Sequence, residues 1–299
     1  MDPIAPPAPV AFVGLGVMGA AMAQNLLKAG FALTVTTRSR DKAAALEAAG
    51  ARWADSAAEA AKGAAFVGLC VPDTPDVEAV LFGPAGVAKG VARGAVVVDF
   101  STIAPSAAAA FAARLLEETG ATLLDSPVSG GPQGARDGTL TCMVGGDSAA
   151  FARAEPAFRA VGRTITHLGP PGAGQVCKAA NQLIIASTVL AVAEAFALGA
   201  KAGLDGEAMR RALVGGSARS FVLENHAVRM LEGRFEPGFR AELMRKDLRL
   251  SAGAMRDHGV FAPATGLAAS MMEALVATGR GGLDSAALGA LVKELSGVK

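Results

Sequence analysis

Short apolar runs alternate with alanine-rich, charge-dotted segments over the first half of the chain. The runs 10–13 (VAFV), 31–36 (FALTVT), 64–71 (AAFVGLCV) and 95–100 (AVVVDF) have the length and β-branched content of buried strands. Segments 18–27, 41–49, 56–61 and 75–81 between them read as helices, and 121–125, 140–144 and 163–167 add further strand-like runs. Alternation of this kind predicts an α/β fold with a mostly parallel sheet covered on both faces. After Gly174 no convincing strand follows. Alanine- and leucine-rich helical segments run to the end, broken at Gly203, Gly215-Gly216, Pro237-Gly238, His258-Gly259 and the glycine cluster 279–282.

The change of pattern places a boundary near Pro170-Pro171-Gly172. Residues 10–172 form an α/β domain and 173–299 an all-helical one, entered by a long apolar helix. The proline-broken start, MDPIAPPAPV, lacks a basic segment; residues 1–9 read as a disordered lead and not a signal peptide. The run 183–199 is apolar enough to suggest a membrane span, but it is short for one and contains Ser187, Thr188 and Glu194. A helix buried in protein suits it better, and no membrane partner is expected.

Composition narrows the function classes. The 299 residues are 52% hydrophobic and 18% charged, with a net charge of +1, which argues against nucleic acid or another polyanion as partner. Cys70, Cys142 and Cys177 lie far apart with no CxxC pair, as in the reduced thiols of a cytoplasmic protein. His167, His226 and His258 show no metal-ligand spacing, so no metal site is expected.

Chemistry enters at Gly14-Leu15-Gly16-Val17-Met18-Gly19, a GxGxxG between the first strand and the first helix. The first glycine permits the tight turn, the second lets a pyrophosphate approach the backbone, and the third lets the helix pack close to the strand. The helix N-terminus then faces the phosphates. The strand–turn–helix context makes this spacing a dinucleotide-binding signal. Where an NAD site usually carries an acid, after the second strand, this chain has Thr36-Thr37-Arg38-Ser39-Arg40. A guanidinium suits a ribose 2′-phosphate, so NADP(H) is favoured, with NAD(H) open; the plain alternative is two solvated loop arginines.

Three polar residues interrupt the long apolar helix at its start. Lys178, Asn181 and Gln182 stand at i, i+3 and i+4 and share a face. A lysine here either snorkels to water or is held near an apolar groove for proton transfer, where burial would lower its pKa toward a working range. The loop Pro127-Val128-Ser129-Gly130-Gly131-Pro132 offers backbone N–H groups and one hydroxyl to a small carboxylate, or is an ordinary proline-flanked turn. Ser101-Thr102 before Pro105 marks a helix start at a strand's end, and capping alone would explain one hydroxyl. Cys177 points to another helix face and reads as core.

Five stretches, GLGVMGAAMAQNLLKAG (14–30), VDFSTIAP (98–105), DSPVSGGPQGARDGTLTCMVGGD (125–147), GQVCKAANQ (174–182) and LMRKDLRLS (243–251), together resemble the β-hydroxyacid dehydrogenases. That group includes 3-hydroxyisobutyrate dehydrogenase, tartronate semialdehyde reductase and glyoxylate/succinic semialdehyde reductase. The resemblance implies a Rossmann-type domain joined by a long helix to an all-α domain, a cleft between the two, and a homodimer or homotetramer. By position it makes Lys178 the catalytic acid–base and gives Ser129, Gly130 and Gly131 to the substrate carboxylate. Asn181, Phe239 and Asp247 would bind the substrate. Val71, Pro72 and Asp76 would line the adenosine side of the cofactor, Thr102 its nicotinamide half, and Lys246 would also contact it. Ser126 stands where the family usually has alanine, and Thr37 where NADP-linked relatives often have asparagine.

The implied activity is reversible hydride transfer between NADP(H) and a small carboxylated semialdehyde or its hydroxyacid, among them glyoxylate, succinic semialdehyde, tartronate semialdehyde and 3-hydroxyisobutyrate. An NAD-linked 3-hydroxyisobutyrate dehydrogenase and a non-catalytic dinucleotide-binding interaction protein are the alternatives. The second would have no need of Lys178, Asn181 and Ser129 together.

Overall fold

The computed structural model describes residues 2–298. Two compact units emerge, Met1–Lys178 and Ala179–Lys299. The division falls inside a helix, a little beyond the proline–glycine turn where the composition changes.

The first unit is built on one sheet. Its strands are β1 (Pro9–Val13), β2 (Ala32–Thr36), β3 (Arg52–Trp53), β4 (Phe66–Leu69), β5 (Val96–Asp99), β6 (Thr122–Asp125), β7 (Val128–Ser129), β8 (Leu140–Gly145) and β9 (Gly162–Gly169). They run in the order β3-β2-β1-β4-β5-β6-β8-β7, with β9 paired to β8. From β3 to β6 every pairing is parallel; β8 then turns antiparallel to β6 through Asp125 and Gly145. The helices between are α1 (Val17–Lys28), α2 (Ala44–Ala48), α3 (Ala57–Ala61), α4 (Thr74–Phe82), α5 (Pro105–Thr119), α6 (Gly131–Asp137) and α7 (Ser148–Val161).

Strand alternation fills both faces of this sheet. Val10, Phe12, Phe66, Val96 and Val98 enter one core with Met22, Leu26 and Phe158. Their neighbours Ala11, Val13, Val67, Leu69 and Val97 enter the other with Val77, Leu81 and Leu115. Side chains on successive strand residues point to opposite faces, so a sheet covered twice needs an apolar residue at nearly every position. That is why these strands read as continuous apolar runs. The register aligns the strand ends: Thr36 lies beside Val13, Val13 beside Leu69, Leu69 beside Asp99 and Asp99 beside Asp125. The loops that leave this common edge therefore begin side by side.

One expectation changes here. The lead before β1 is not free chain: Ile4 is buried in the first core, and its N–H donates to the Arg153 carbonyl at 2.8 Å. A single apolar residue among prolines gave no periodic signal, yet it is enough to fasten the segment.

A 29-residue helix, α8 (Ala173–Lys201), runs from the first unit into the second. The second unit continues with α9 (Gly206–Val214), α10 (Ala227–Glu232), α11 (Ala241–Asp257), α12 (Pro263–Leu275) and α13 (Leu288–Leu295). Its core gathers Val189, Val192, Ala193 and Phe196 of α8 with Met244, Leu248, Met272, Leu288 and Leu291. By length and composition alone α8 could cross a bilayer, and 44% of its most apolar window is buried. Burial is thus one-sided: Ile184 and Leu198 on α8 are exposed. The expectation of a helix buried in protein holds for one stripe only, because a helix buries just the positions that recur on its packed face.

Candidate active site

At the aligned strand ends, the β1–α1 turn brings the three glycines into separate duties. Gly14 has φ +94° and donates to the Thr36 carbonyl at 2.9 Å; a Cβ there would collide with the Cys70 carbonyl and come within 3.0 Å of Val71. Gly19 lies against Gly14 and Phe12, so a side chain would push α1 off the strand. Gly16, the N-cap of α1, has nothing within 4 Å of where a Cβ would be. Two glycines therefore serve close packing and the middle one leaves open space at a helix N-terminus, the shape a pyrophosphate requires. Leu15 is buried under the turn, while Val17 and Met18 open the helix.

The strand order reverses between β1 and β4, where an open α/β sheet leaves a crevice for ligand. Val71 stands on the β4 side of it, its N–H donating to Ser101 Oγ at 2.9 Å. Pro72 is exposed, and Asp76 sits in the first turn of α4. Thr102 follows Ser101, half-buried. Gly14–Gly19, Val71 and Thr102 thus share one edge of the sheet.

The turn after β2 sorts the two arginines. Arg40 pairs with Glu47 at 3.0 Å, and its guanidinium lies 5.4 Å from the centre of the Trp53 ring. Hydrogen bonding to Glu47 raises the pKa of Arg40. Arg38 is exposed on the same turn.

On the far side of β5 lies a buried polar cluster that the sequence does not announce. Asp125, at the end of β6, accepts from the Gly172 N–H at 2.7 Å on one oxygen and the Gln175 N–H at 2.9 Å on the other. Burial raises its pKa, while the N–H groups of Gly172, Gln175 and Gly174 pull it back. Gln175 in turn donates to the Ser101 carbonyl at 2.8 Å and accepts from the Ile103 N–H at 3.1 Å. Gln175 and Asp125 escape sequence reasoning because a single polar residue at an element's end looks like a solvated one; the signal available was a Gln inside an otherwise apolar first turn.

Lys178 is one turn further along α8. It is 7% exposed, and its Nζ donates to the Val128 carbonyl at 2.9 Å. Val128 is followed in the chain by Ser129, which pairs across from β7 to Thr141 of β8, and by Gly130 and Gly131, with φ +131° and +61°. A lysine whose amine is held to a carbonyl is not a snorkelling lysine.

Within the second unit a chain of polar groups forms. Asn181 Nδ2 donates to Gln182 Oε1 at 2.7 Å, Gln182 Nε2 donates to Asp247 Oδ2 at 2.6 Å, and Lys246 pairs with Asp247 Oδ1 at 3.0 Å. Gln182 thus joins two of the proposed substrate residues. Phe239 is fixed by its backbone: its N–H donates to the buried Asp284 at 3.0 Å, and its carbonyl accepts from Ser285 at 2.9 Å.

Known proteins share this arrangement of chain. Residues 9–169 match the family described as the NAD-binding domain of 6-phosphogluconate dehydrogenase, and 172–292 the one described as NAD-binding of NADP-dependent 3-hydroxyisobutyrate dehydrogenase. A 2-hydroxy-3-oxopropionate reductase of Escherichia coli is 43% identical over 93% of this chain and 94% of its own. An NAD-dependent L-serine dehydrogenase of Pseudomonas aeruginosa is 40% identical over 90% and 93%. The solved Mycobacterium tuberculosis 3-hydroxyisobutyrate dehydrogenase with L-serine superposes with a TM-score of 0.88 at 32% identity, covering 95% of this chain and 98% of that one.

Proposed function

Because the chain belongs to the β-hydroxyacid dehydrogenase family and is an oxidoreductase with a nicotinamide dinucleotide cofactor, we propose that it uses NADP(H) to interconvert a small carboxylated semialdehyde and its hydroxyacid, with Lys178 moving the proton. Among the substrates we favour tartronate semialdehyde, a choice supported by the likeness to a reductase named for 2-hydroxy-3-oxopropionate. The observation that carries the reading is the buried amine of Lys178, held at Val128 and adjoining the Ser129–Gly131 turn.

The bound dinucleotide supplies or accepts the hydride at the carbinol carbon. Reduction also needs a proton on the carbonyl oxygen; the Lys178 ammonium gives it, and the neutral amine takes it back during oxidation. Ser129 and the backbone of Gly130 and Gly131 hold the carboxylate. On the family resemblance Asn181, Phe239 and Asp247 serve the substrate, and Val71, Pro72, Asp76, Thr102 and Lys246 the cofactor. The NADP(H) preference rests on Arg38, exposed on a turn with no acid before Asp41, while Arg40 is engaged by Glu47. The family resemblance also supports a homodimer or homotetramer, and the three widely spaced cysteines support a cytoplasmic location.

A panel of short semialdehydes with NADPH and NADH, and of the hydroxyacids and L-serine with NADP and NAD, tests the reading by absorbance of the reduced nicotinamide. Turnover of tartronate semialdehyde with NADPH is the expected result. Preference for NADH would overturn the coenzyme assignment, and silence across the panel would favour a binding protein without turnover.

A further inference from the structure

We propose that Asp125 and Gln175 are positioning residues that fix the Lys178 amine, by locking the first turn of α8 to the ends of β5 and β6. The inference deepens the reading of Lys178 as the proton-transfer group and rests on it.

The attachment has three parts, all in the first unit. Asp125 receives the N–H groups of Gly172 and Gln175, one on each carboxylate oxygen. It thereby satisfies donors that a helix leaves open at its start, and places a negative group at the positive end of the helix dipole. Two glycines make room for it. A Cβ on Gly145 would stand 2.6 Å from Asp125 Oδ1; one on Gly174 would stand 2.8 Å from Oδ2 and collide with the Met143 carbonyl. α8 therefore starts in direct contact with the sheet backbone.

Gln175 makes the second part. Its amide spans the loop after β5, donating to Ser101 and accepting from Ile103, and both bonds are buried. Ser101 also accepts from the Val71 N–H and donates its own N–H to Asp99. The helix turn, the loop bearing Thr102 and the loop bearing Val71 are thus joined by consecutive hydrogen bonds. The third part is Lys178 itself, three residues after Gln175, whose amine reaches Val128 just beyond β6. Loss of the Gln175 bridge frees the turn from which Lys178 projects without removing the lysine itself, so its amine is no longer held in one position. Neither Asp125 nor Gln175 needs to touch a reactant for this.

The test combines kinetics with the free protein. Gln175→Leu should lower kcat roughly 10- to 100-fold, the scale of a small misplacement of a reacting group, with KM for NADPH within about threefold, a split that a merely structural loss would not produce. In the Lys178→Ala background the same change should add nothing. In protein labelled with 13C-lysine and free of cofactor, the Lys178 Cε resonance, assigned by its loss in Lys178→Arg, should shift in Gln175→Leu and in Asp125→Asn. Gln175→Glu supplies the conservative comparison. Its protonated carboxyl keeps a donor for Ser101 and an acceptor for Ile103, so kcat should approach wild type at low pH and fall as that carboxyl ionises. Should Gln175→Leu fail to fold, this pH step decides. An unshifted Lys178 resonance, an unchanged kcat or a missing pH step in Gln175→Glu would overturn the proposal. If instead Lys178→Ala stays active, the acid–base reading falls, and the resonance alone decides whether the clamp fixes the amine.

Discussion

The Lys178 amine and the Val128 carbonyl stand 2.9 Å apart, and the next residue along from Val128 opens the Ser129–Gly131 turn. One hydrogen bond thus ties the proposed acid–base residue to the strand that leads into the proposed carboxylate turn. Lys178→Ala should lower kcat by roughly 10²- to 10⁴-fold, the usual range for loss of a general acid–base, with NADPH binding little changed when followed by fluorescence. Lys178→Arg keeps a donor for Val128 but cannot give up its charge near neutral pH. It should be nearly as inactive, and an active arginine variant would remove proton transfer from the role of this residue.

Coenzyme preference should turn on Arg38. Hydrogen bonds to a charged group contribute about 1.5–3 kcal/mol, so Arg38→Ala should raise KM for NADPH roughly 10- to 100-fold and leave NADH nearly untouched. Arg40→Ala should do less, since Glu47 and Trp53 already occupy its guanidinium. Initial rates with the two coenzymes decide, and equal losses with both would count against a 2′-phosphate contact at Arg38.

The glycines of the β1–α1 turn should separate stability from binding. Gly16→Ala meets open space, so its melting temperature should stay near wild type while dinucleotide affinity falls. Gly19→Ala drives a methyl into the Gly14 backbone and Phe12, a cost of roughly 1–3 kcal/mol for overpacking. Calorimetry and NADPH titration of the two proteins should give opposite rankings.

Alkaline sensitivity should trace in part to Cys142. Burial pushes its thiol from 9.0 up to about 12, and the influence of the Ser126 hydroxyl offsets only a little of that rise. In that interval the folded chain keeps a proton that the unfolded chain releases. Stability from this group is intact below pH 9 and declines as the pH rises toward 12, by about 1.4 kcal/mol per unit. Cys142→Ala should start less stable and decline less steeply in urea titrations over that range; parallel declines would refute the assignment.

Much of the first unit was legible because its strands are buried on both faces. Val96, Val97 and Val98 divide between two cores, so the run reads as a strand without alternation. β3 and β7 were not legible: each has two residues, and β7 forms only because β8 turns back to pair with it. In the second unit, glycines and prolines marked most helix ends. The glycine loop and Lys178 stood out as a spacing and as a charge in an apolar run. Asp125 and Gln175 did not, because their bonds join positions far apart in the chain, such as Gln175 with Ser101. Long-range partners leave no local pattern.

Trp53 has a practical use beyond its stacking on Arg40. It is the one tryptophan of a chain with no tyrosine, so intrinsic emission reports from a single address, next to the strand whose turn carries Arg38. Its indole N–H is held by Asp55 at 2.7 Å, which favours one environment and a simple signal. Reduced nicotinamide absorbs where indole emits, so quenching of this lone fluorophore offers a label-free optical titration of coenzyme, with Trp53→Phe as its dark control.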